Sequence, residues 1–258
     1  MVRGLYTAYT GMINQQKRLD TITNNLANAS TTGFKREGVT ARSFDECLTV
    51  KVNDLTEGVI TRNIGQMSLG VKIGENYTDY SQGSFKNTEG TYDLALEGNG
   101  FFAISFTNKR GEESVKYTRD GEFTIDNEGV LRTKDGDYVL NQGGGQITIP
   151  TEAASVVFDG QGNIYADGEY IDTLQITDFE NYDYIRKYGE NLYDIEEGAV
   201  ETEANASVHQ GYLEMSNINV VEEMVEMITI TRAYESAQKA IQTADTMMDK
   251  AVNQVGKV

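Results

Sequence analysis

Two hydrophobic periods run along the chain, and they occupy different stretches. Stepping alternately three and four residues from Leu5 visits Leu5, Ala8, Met12, Gln15, Leu19, Ile22, Leu26 and Ala29, a seam in which only Gln15 is polar. The same stepping from Met227 visits Met227, Ile230, Tyr234, Ala237, Ile241, Ala244, Met248, Ala251, Val255 and Val258, with no polar member. Such spacing is that of helices wound about one another. Asn219 followed by Glu222 has the form of a capping box, which places the start of the C-terminal helix near Val220. At the rise of an α-helix this segment would extend roughly 55 Å. Neither helix is stable alone in water, because both seams are rich in Ala and their apolar faces would lie open. Pairing the first segment with the last covers both seams. Packing both into a bundle of several subunits is the alternative.

Between them the helical period gives way to short stretches rich in Val, Ile, Tyr and Phe, separated by Gly, Asp and Asn, from about residue 70 to 210. Asp120-Gly121, Asp135-Gly136, Asp159-Gly160 and Asp167-Gly168 are dipeptides suited to tight hairpins. The pattern predicts an α+β protein. Its N- and C-terminal helices, residues 1–36 with 211–258, pair as a coiled-coil-like assembly domain. An extended connector spans 37–69, with room for one hairpin, and an all-β, hairpin-rich domain is inserted over 70–210.

Composition narrows the function. The chain has 258 residues, 39% apolar content and a net charge of −18. That charge argues against nucleic acid and anionic membrane as partners, since phosphate binding needs clustered Lys and Arg. It is also unevenly spread: residues 1–36 carry five basic groups against one acid, residues 217–258 four against six, and residues 37–216 thirteen against 33. One cysteine, Cys47, and one histidine, His209, leave no disulfide framework and no Cys/His zinc set. The apolar runs are too short for direct membrane insertion, and the N-terminus lacks the unbroken apolar core of a secretory signal.

Candidate chemistry is sparse. The run Gly98 to Ala103, "GNGFFA", matches a dinucleotide fingerprint, but "FFAISF" continues as strand where that site needs a helix N-terminus. The Asp/Asn/Gly clusters lack the ligand spacing of a calcium loop and read as turns. His209 has no nucleophile motif beside it. No catalytic, metal or cofactor-binding residue is assigned. Two alternatives to a structural role stay open: a carbohydrate-acting β domain using two acids, and a binding module with a helical clamp.

The stretch "TNNLANASTTGFKR" places Asn24, Asn25 and Asn28 inside the first helix, although Asn is a mediocre helix former. With Leu26 on the seam, Asn24 and Asn28 share a face away from it and Asn25 sits between the faces. Amides there could bond a second helix or a neighbouring backbone, or could line a solvated face. "NNLANASTTGFKR" resembles the N-terminal signature of bacterial flagellar basal body rod and hook proteins, and Gly211 to Ala251 resembles their C-terminal signature. "LEGNGFFAI", "YTRDGEFTIDNEGVL" and "GENLY" resemble the β domain of the same group, in the group's order. Size and the run "SNINVVEEMVEMI" fit a rod member rather than a hook protein, which carries an extra outer domain.

The resemblance implies a structural, non-enzymatic subunit of the flagellar basal body that uses no cofactor. It implies export through the flagellar type III apparatus without a cleaved signal, and helical self-assembly in which the termini line the export channel. The implied partners are further copies of this chain, other rod and hook subunits and the export apparatus. The subunit contacts are expected at Leu5, Met12, Leu19, Asn24, Asn25, Leu26, Asn28, Gly33, Phe34, Met227, Ile230, Tyr234, Ile241, Met248 and Val255.

Overall fold

A computed structural model describes residues 2–51, 62–108, 110–189 and 191–255. They fall into two compact units. A helical unit comprises the chain up to Ala27, Glu37–Asp79 and the chain from Asn219; a β unit comprises Asn28–Arg36 and Tyr80–Ile218. The architecture is α+β, with a helix at each end and a β-rich region between. Compared with the division read from the sequence, residues 28–36 go with the β unit and 37–79 with the helices. The reason is hydrogen bonding between segments far apart in sequence, which periodicity does not register.

In the helical unit α1 (Val2–Ala27) and α2 (Val220–Lys250) lie against one another. Arg18 pairs with Glu226 at 2.9 Å and Asn25 with Glu223 at 3.4 Å, so the helices run antiparallel. Asn219 caps α2 by accepting from the Val221 N–H at 3.2 Å, so the helix starts at Val220 as the sequence places it. The 31 residues of α2 amount to roughly 46 Å, after which residues 251–255 widen into a π-helical turn. The side chain of Val255, and Val258, lie outside the described residues. No helix among the described residues is long and apolar enough to cross a membrane.

Residues 37–79 are largely strand. β1 (Glu37–Ser43) pairs antiparallel with β4 (Val71–Thr78), and β2 (Cys47–Lys51) with β3 (Arg62–Met67). Where the sequence reading expects an extended connector over 37–69, the described residues of 37–79 form two antiparallel pairs.

The β unit is built on a nine-stranded sheet. Its centre is β7 (Phe101–Thr107), flanked by β8 (Glu113–Thr118) and β11 (Tyr138–Val139). Beyond β8 lie β17 (Leu192–Ile195) and β16 (Ile185–Tyr188); beyond β11 lie β10 (Leu131–Thr133) and β9 (Phe123–Ile125). β15 (Ile176–Phe179) pairs with both β7 and β18 (Glu201–Glu203). A three-stranded meander joins β12 (Val156–Phe158), β13 (Asn163–Ala166) and β14 (Glu169–Thr173). Two smaller pairs link β6 (Leu94–Gly98) to β19 (Ala206–Gln210), and β5 (Phe85–Asn87) to β20 (Tyr212–Glu214).

Residues 101–104 of β7 are buried without alternation, because both faces of the strand are covered. Phe102 joins Leu94, Leu96, Phe123 and Leu131 in one core cluster, while Phe101 joins Tyr117, Phe179 and Tyr193 in another. Three of the four Asp-Gly dipeptides form the expected hairpins, between β10 and β11, β12 and β13, and β13 and β14. At the last of these Asp167 and Gly168 both have positive φ, 51° and 88°, as a type I′ turn requires. Asp120-Gly121 does not turn a two-residue hairpin. It forms part of a docking site for the β unit's N-terminal segment.

Candidate assembly interface

The seam positions read from the sequence are the inward positions of the helices. Leu5, Met12, Leu19 and Leu26 of α1 are half-buried, with Ile22 buried among them. On α2, Met227, Tyr234, Ile241 and Met248 are half-buried around buried Ile230. Two helices share the work of covering these seams, and neither covers the other completely.

The three asparagines separate. Asn25 is 1% exposed and bonded to both backbone groups of the residue that opens β1: its Nδ2 donates to the Glu37 carbonyl at 2.8 Å, and its Oδ1 accepts the Glu37 N–H at 3.1 Å. The same Nδ2 lies 3.4 Å from Oε2 of buried Glu223 on α2. The amide offers a donor and an acceptor side by side; an ionised carboxylate would face the carbonyl and Glu223 with no proton to offer. Asn25 thus ties α1 to β1 and to the first turn of α2. Asn24, by contrast, is exposed, and Asn28 is half-buried at the turn, where its Oδ1 accepts from Thr31 Oγ1 at 3.3 Å.

Gly33 and Phe34 lie in the β unit, apart from the helical seams, and both are buried. Gly33 has a φ of 66° and sits against the backbone of Arg119 and Asp120, where an added Cβ would come within 2.5 Å. Only glycine combines that conformation with that approach. The Gly33 N–H donates to the Glu214 carbonyl at 2.8 Å, Thr32 Oγ1 donates to Asp120 Oδ1 at 2.7 Å, and Asn191 Nδ2 donates to the Thr32 carbonyl at 2.5 Å. Burial pushes the Asp120 carboxyl above its ordinary range, against the opposing pull of the hydrogen bond from Thr32. Phe34 is covered by the Lys187 ammonium, 3.7 Å from the ring centre.

Beneath this strap lies a buried charge network that the sequence reading missed. Lys35 Nζ donates to Glu214 Oε1 at 2.6 Å and to the Ser81 carbonyl at 2.9 Å. Arg119 Nη1 reaches Glu214 Oε2 at 3.3 Å, while its Nη2 donates to the Gly98 carbonyl at 2.7 Å. Glu214 also accepts the Gly83 N–H at 2.9 Å. Two cations thus share one carboxylate, and backbone carbonyls take further donors of Lys35 and Arg119, while Arg119 Nε is buried without a hydrogen-bond partner among the described residues. Nothing in the local pattern of "GYLEMSN" distinguishes Glu214 from any strand-end acid.

A second missed feature is legible in the sequence. Val221, Met224, Val225 and Ile228 follow the i, i+3, i+4, i+7 pattern on the side of α2 away from the seam, and Val221 is 71% exposed. On α1, Tyr6, Tyr9 and Ile13 form a similar exposed stripe. Attention to the longer seams conceals both.

Among the described residues no group of three His, Cys, Asp or Glu side chains is placed to hold a metal. His209 Nε2 lies 2.6 Å from Glu97 Oε2 on the neighbouring strand. The "GNGFFA" run is a strand-to-strand connection between β6 and β7.

Three family models match the chain. Residues 5–35 match the flagella basal body rod protein model. Residues 95–166 match the flagellar hook protein FlgE/F/G D1 domain, and residues 209–255 the flagellar basal body rod FlgEFG protein C-terminal. The chain is 35% identical over 266 residues to the flagellar basal-body rod protein FlgG of Bacillus subtilis, covering 98% of this chain and 99% of that protein. It is 34% identical over 259 residues to the flagellar basal-body rod protein FlgF of Caulobacter vibrioides, with both chains fully covered. It is also 30% identical over 273 residues to the flagellar hook-basal body complex protein FlhO of Bacillus subtilis, again with full coverage.

Proposed function

The chain belongs to the flagellar basal body rod protein family, and from that premise we propose that it polymerises helically through its terminal helices to form part of the drive shaft and of the channel it encloses. Its role is structural, and no catalysis is assigned to it. The observation that carries the reading is the state of the helical seams, which stay half-buried although α1 packs against α2, β1 and β4. Further helices from neighbouring copies would complete that burial in a coiled-coil-like packing, with a gain of about 25 cal/mol per Å² of apolar surface covered. Leu5, Met12, Leu19, Leu26, Met227, Ile230, Tyr234, Ile241, Met248 and Val255 are assigned to that packing, and Asn24 and Asn28 to its margins. Asn25, Gly33 and Phe34 act on the same contacts indirectly, by holding the helices and the strap in place within each protomer.

Other rod and hook subunits are assigned as axial neighbours, and the flagellar export apparatus as the route to the basal body, without a cleaved signal. Electron microscopy of the concentrated, purified chain tests the core of this. Straight filaments or tubes of uniform diameter are expected, and they should vanish on deletion of residues 230–258. A chain that stays monomeric at every concentration would overturn it.

A further inference from the structure

The seam accounts for one face of each helix and leaves a second apolar face on both. On α2 the patch Val221, Met224, Val225 and Ile228 is confined to the first turns; further along the same face come Arg232, Glu235 and Lys239. On α1 the exposed stripe is Tyr6, Tyr9 and Ile13. Each stripe spans eight residues, so the two match in length. They differ in chemistry, two tyrosines and an isoleucine facing branched aliphatics and a methionine.

We propose that the α2 patch receives Tyr6, Tyr9 and Ile13 from α1 of a second copy of this chain, head to tail. The inference rests on the self-assembly reading and specifies which faces meet. A patch that docked on its own twin would close a two-fold dimer and stop; a patch that docks on a different patch leaves a free one at each end and continues.

Polarity sets the orientation. Copies along one axis all point the same way, so α1 of one meets α2 of the next antiparallel, as the two helices do within a protomer. Ile13 then faces Val221, Tyr9 faces Val225, and Tyr6 faces Ile228. Lys17, exposed one turn beyond Ile13, lies level with Asn217 just ahead of the cap, and its side chain, leaning toward the N-terminus of α1, reaches back toward the first turn of α2, where Glu222 is exposed. Seven side chains make a small contact, below the roughly 1,200 Å² typical of stable pairwise interfaces. The contact therefore holds when many copies repeat it, and isolated pairs dissociate.

Cysteine cross-linking in a Cys47→Ser background tests the pairing, because that change removes the chain's only thiol. Polymerised Tyr9→Cys/Val225→Cys chain should give, on oxidation, a ladder of dimers, trimers and longer species on a denaturing gel. Either single variant should give at least tenfold less product above the dimer. Abundant dimers from Val225→Cys alone would show like meeting like and overturn the proposal. So would filaments of the double variant that form no ladder, while leaving self-assembly intact. If the unmodified chain forms no filaments at all, the self-assembly reading fails and takes the pairing with it.

Charge reversal is the second arm. Lys17→Glu should raise the critical concentration for filament growth about tenfold, and Glu222→Lys in the same chain should restore it to within about threefold. An unchanged critical concentration in Lys17→Glu, or no recovery in the double reversal, would also overturn the pairing.

Discussion

The two units of this chain treat apolar side chains differently. In the β unit Leu94, Leu96, Phe101, Phe102, Ile104, Leu131, Ile147, Ile149 and Ile164 are all essentially inaccessible to water. In the helical unit only Ile22 and Ile230 are buried among the apolar side chains described, while Tyr6, Tyr9, Val221, Val225 and Ile228 are about half exposed or more. A residue buried in its own unit stabilises the monomer; one left half-covered has burial still to gain if another surface covers it. The first unit closes its own core, and the second leaves apolar surface that the proposed self-assembly would cover.

Substitutions put that contrast to the test. The largest effect is expected at the buried charges of the β unit. Glu214→Ala leaves Lys35 and Arg119 buried without their carboxylate, which should cost about 3–5 kcal/mol in urea unfolding of the monomer. A loss under about 1 kcal/mol would mean that water reaches the cluster.

Next come matched truncations. Leu131→Ala, in the β core, should cost about 2–5 kcal/mol of monomer stability and act on assembly only through folding. Ile241→Ala, on the half-buried seam, should cost the monomer less than about 1 kcal/mol yet raise the critical concentration for polymerisation. If the two variants behaved alike in both assays, the division of labour would be wrong.

A smaller effect separates two adjacent asparagines. Asn25→Asp removes the donor to the Glu37 carbonyl and places a carboxylate beside Glu223, so thermal unfolding should report a loss of about 1–3 kcal/mol. Asn24→Asp, on the exposed face, should cost the monomer only a few tenths of a kcal/mol. Equal losses would place both amides in the same environment.

The smallest effect is a pH slope in the β unit. The carboxyl of Asp120 is raised in the folded state, chiefly by burial, so the folded chain holds that proton more tightly than the unfolded chain. Stability from this group is greatest below the unfolded carboxylate pKa and falls as pH rises toward the folded value. Denaturant titrations of Asp120→Asn and wild type across that acidic window should diverge, with the variant showing the shallower decline. Parallel curves would mean that Asp120 ionises as freely in the folded protein as in the unfolded chain.

Periodicity is set by the geometry of a single helix or strand, so what depends on it is legible one segment at a time. The seams from Leu5 and from Met227, the cap at Asn219 and the turns at Asp135, Asp159 and Asp167 are of that kind, and the family signatures sit on the same local patterns. Burial depends on what arrives from elsewhere. Asn25 is buried because Glu37 returns to it after a turn; helical phase sets it between the faces, off the side of Asn24, but does not seal it. Asp120-Gly121 has the composition of a hairpin turn, but Gly33 occupies the space beside it. Lys35 and Glu214 stand 179 residues apart. Their pairing exists only once both segments have closed on Arg119, so that two cations and a carboxylate can leave water together. Local pattern is enough to locate the helices, the strands and their apolar faces. Which polar groups are sealed inside and which apolar faces stay open depends on folding, because both follow from contacts between segments that no local period encodes.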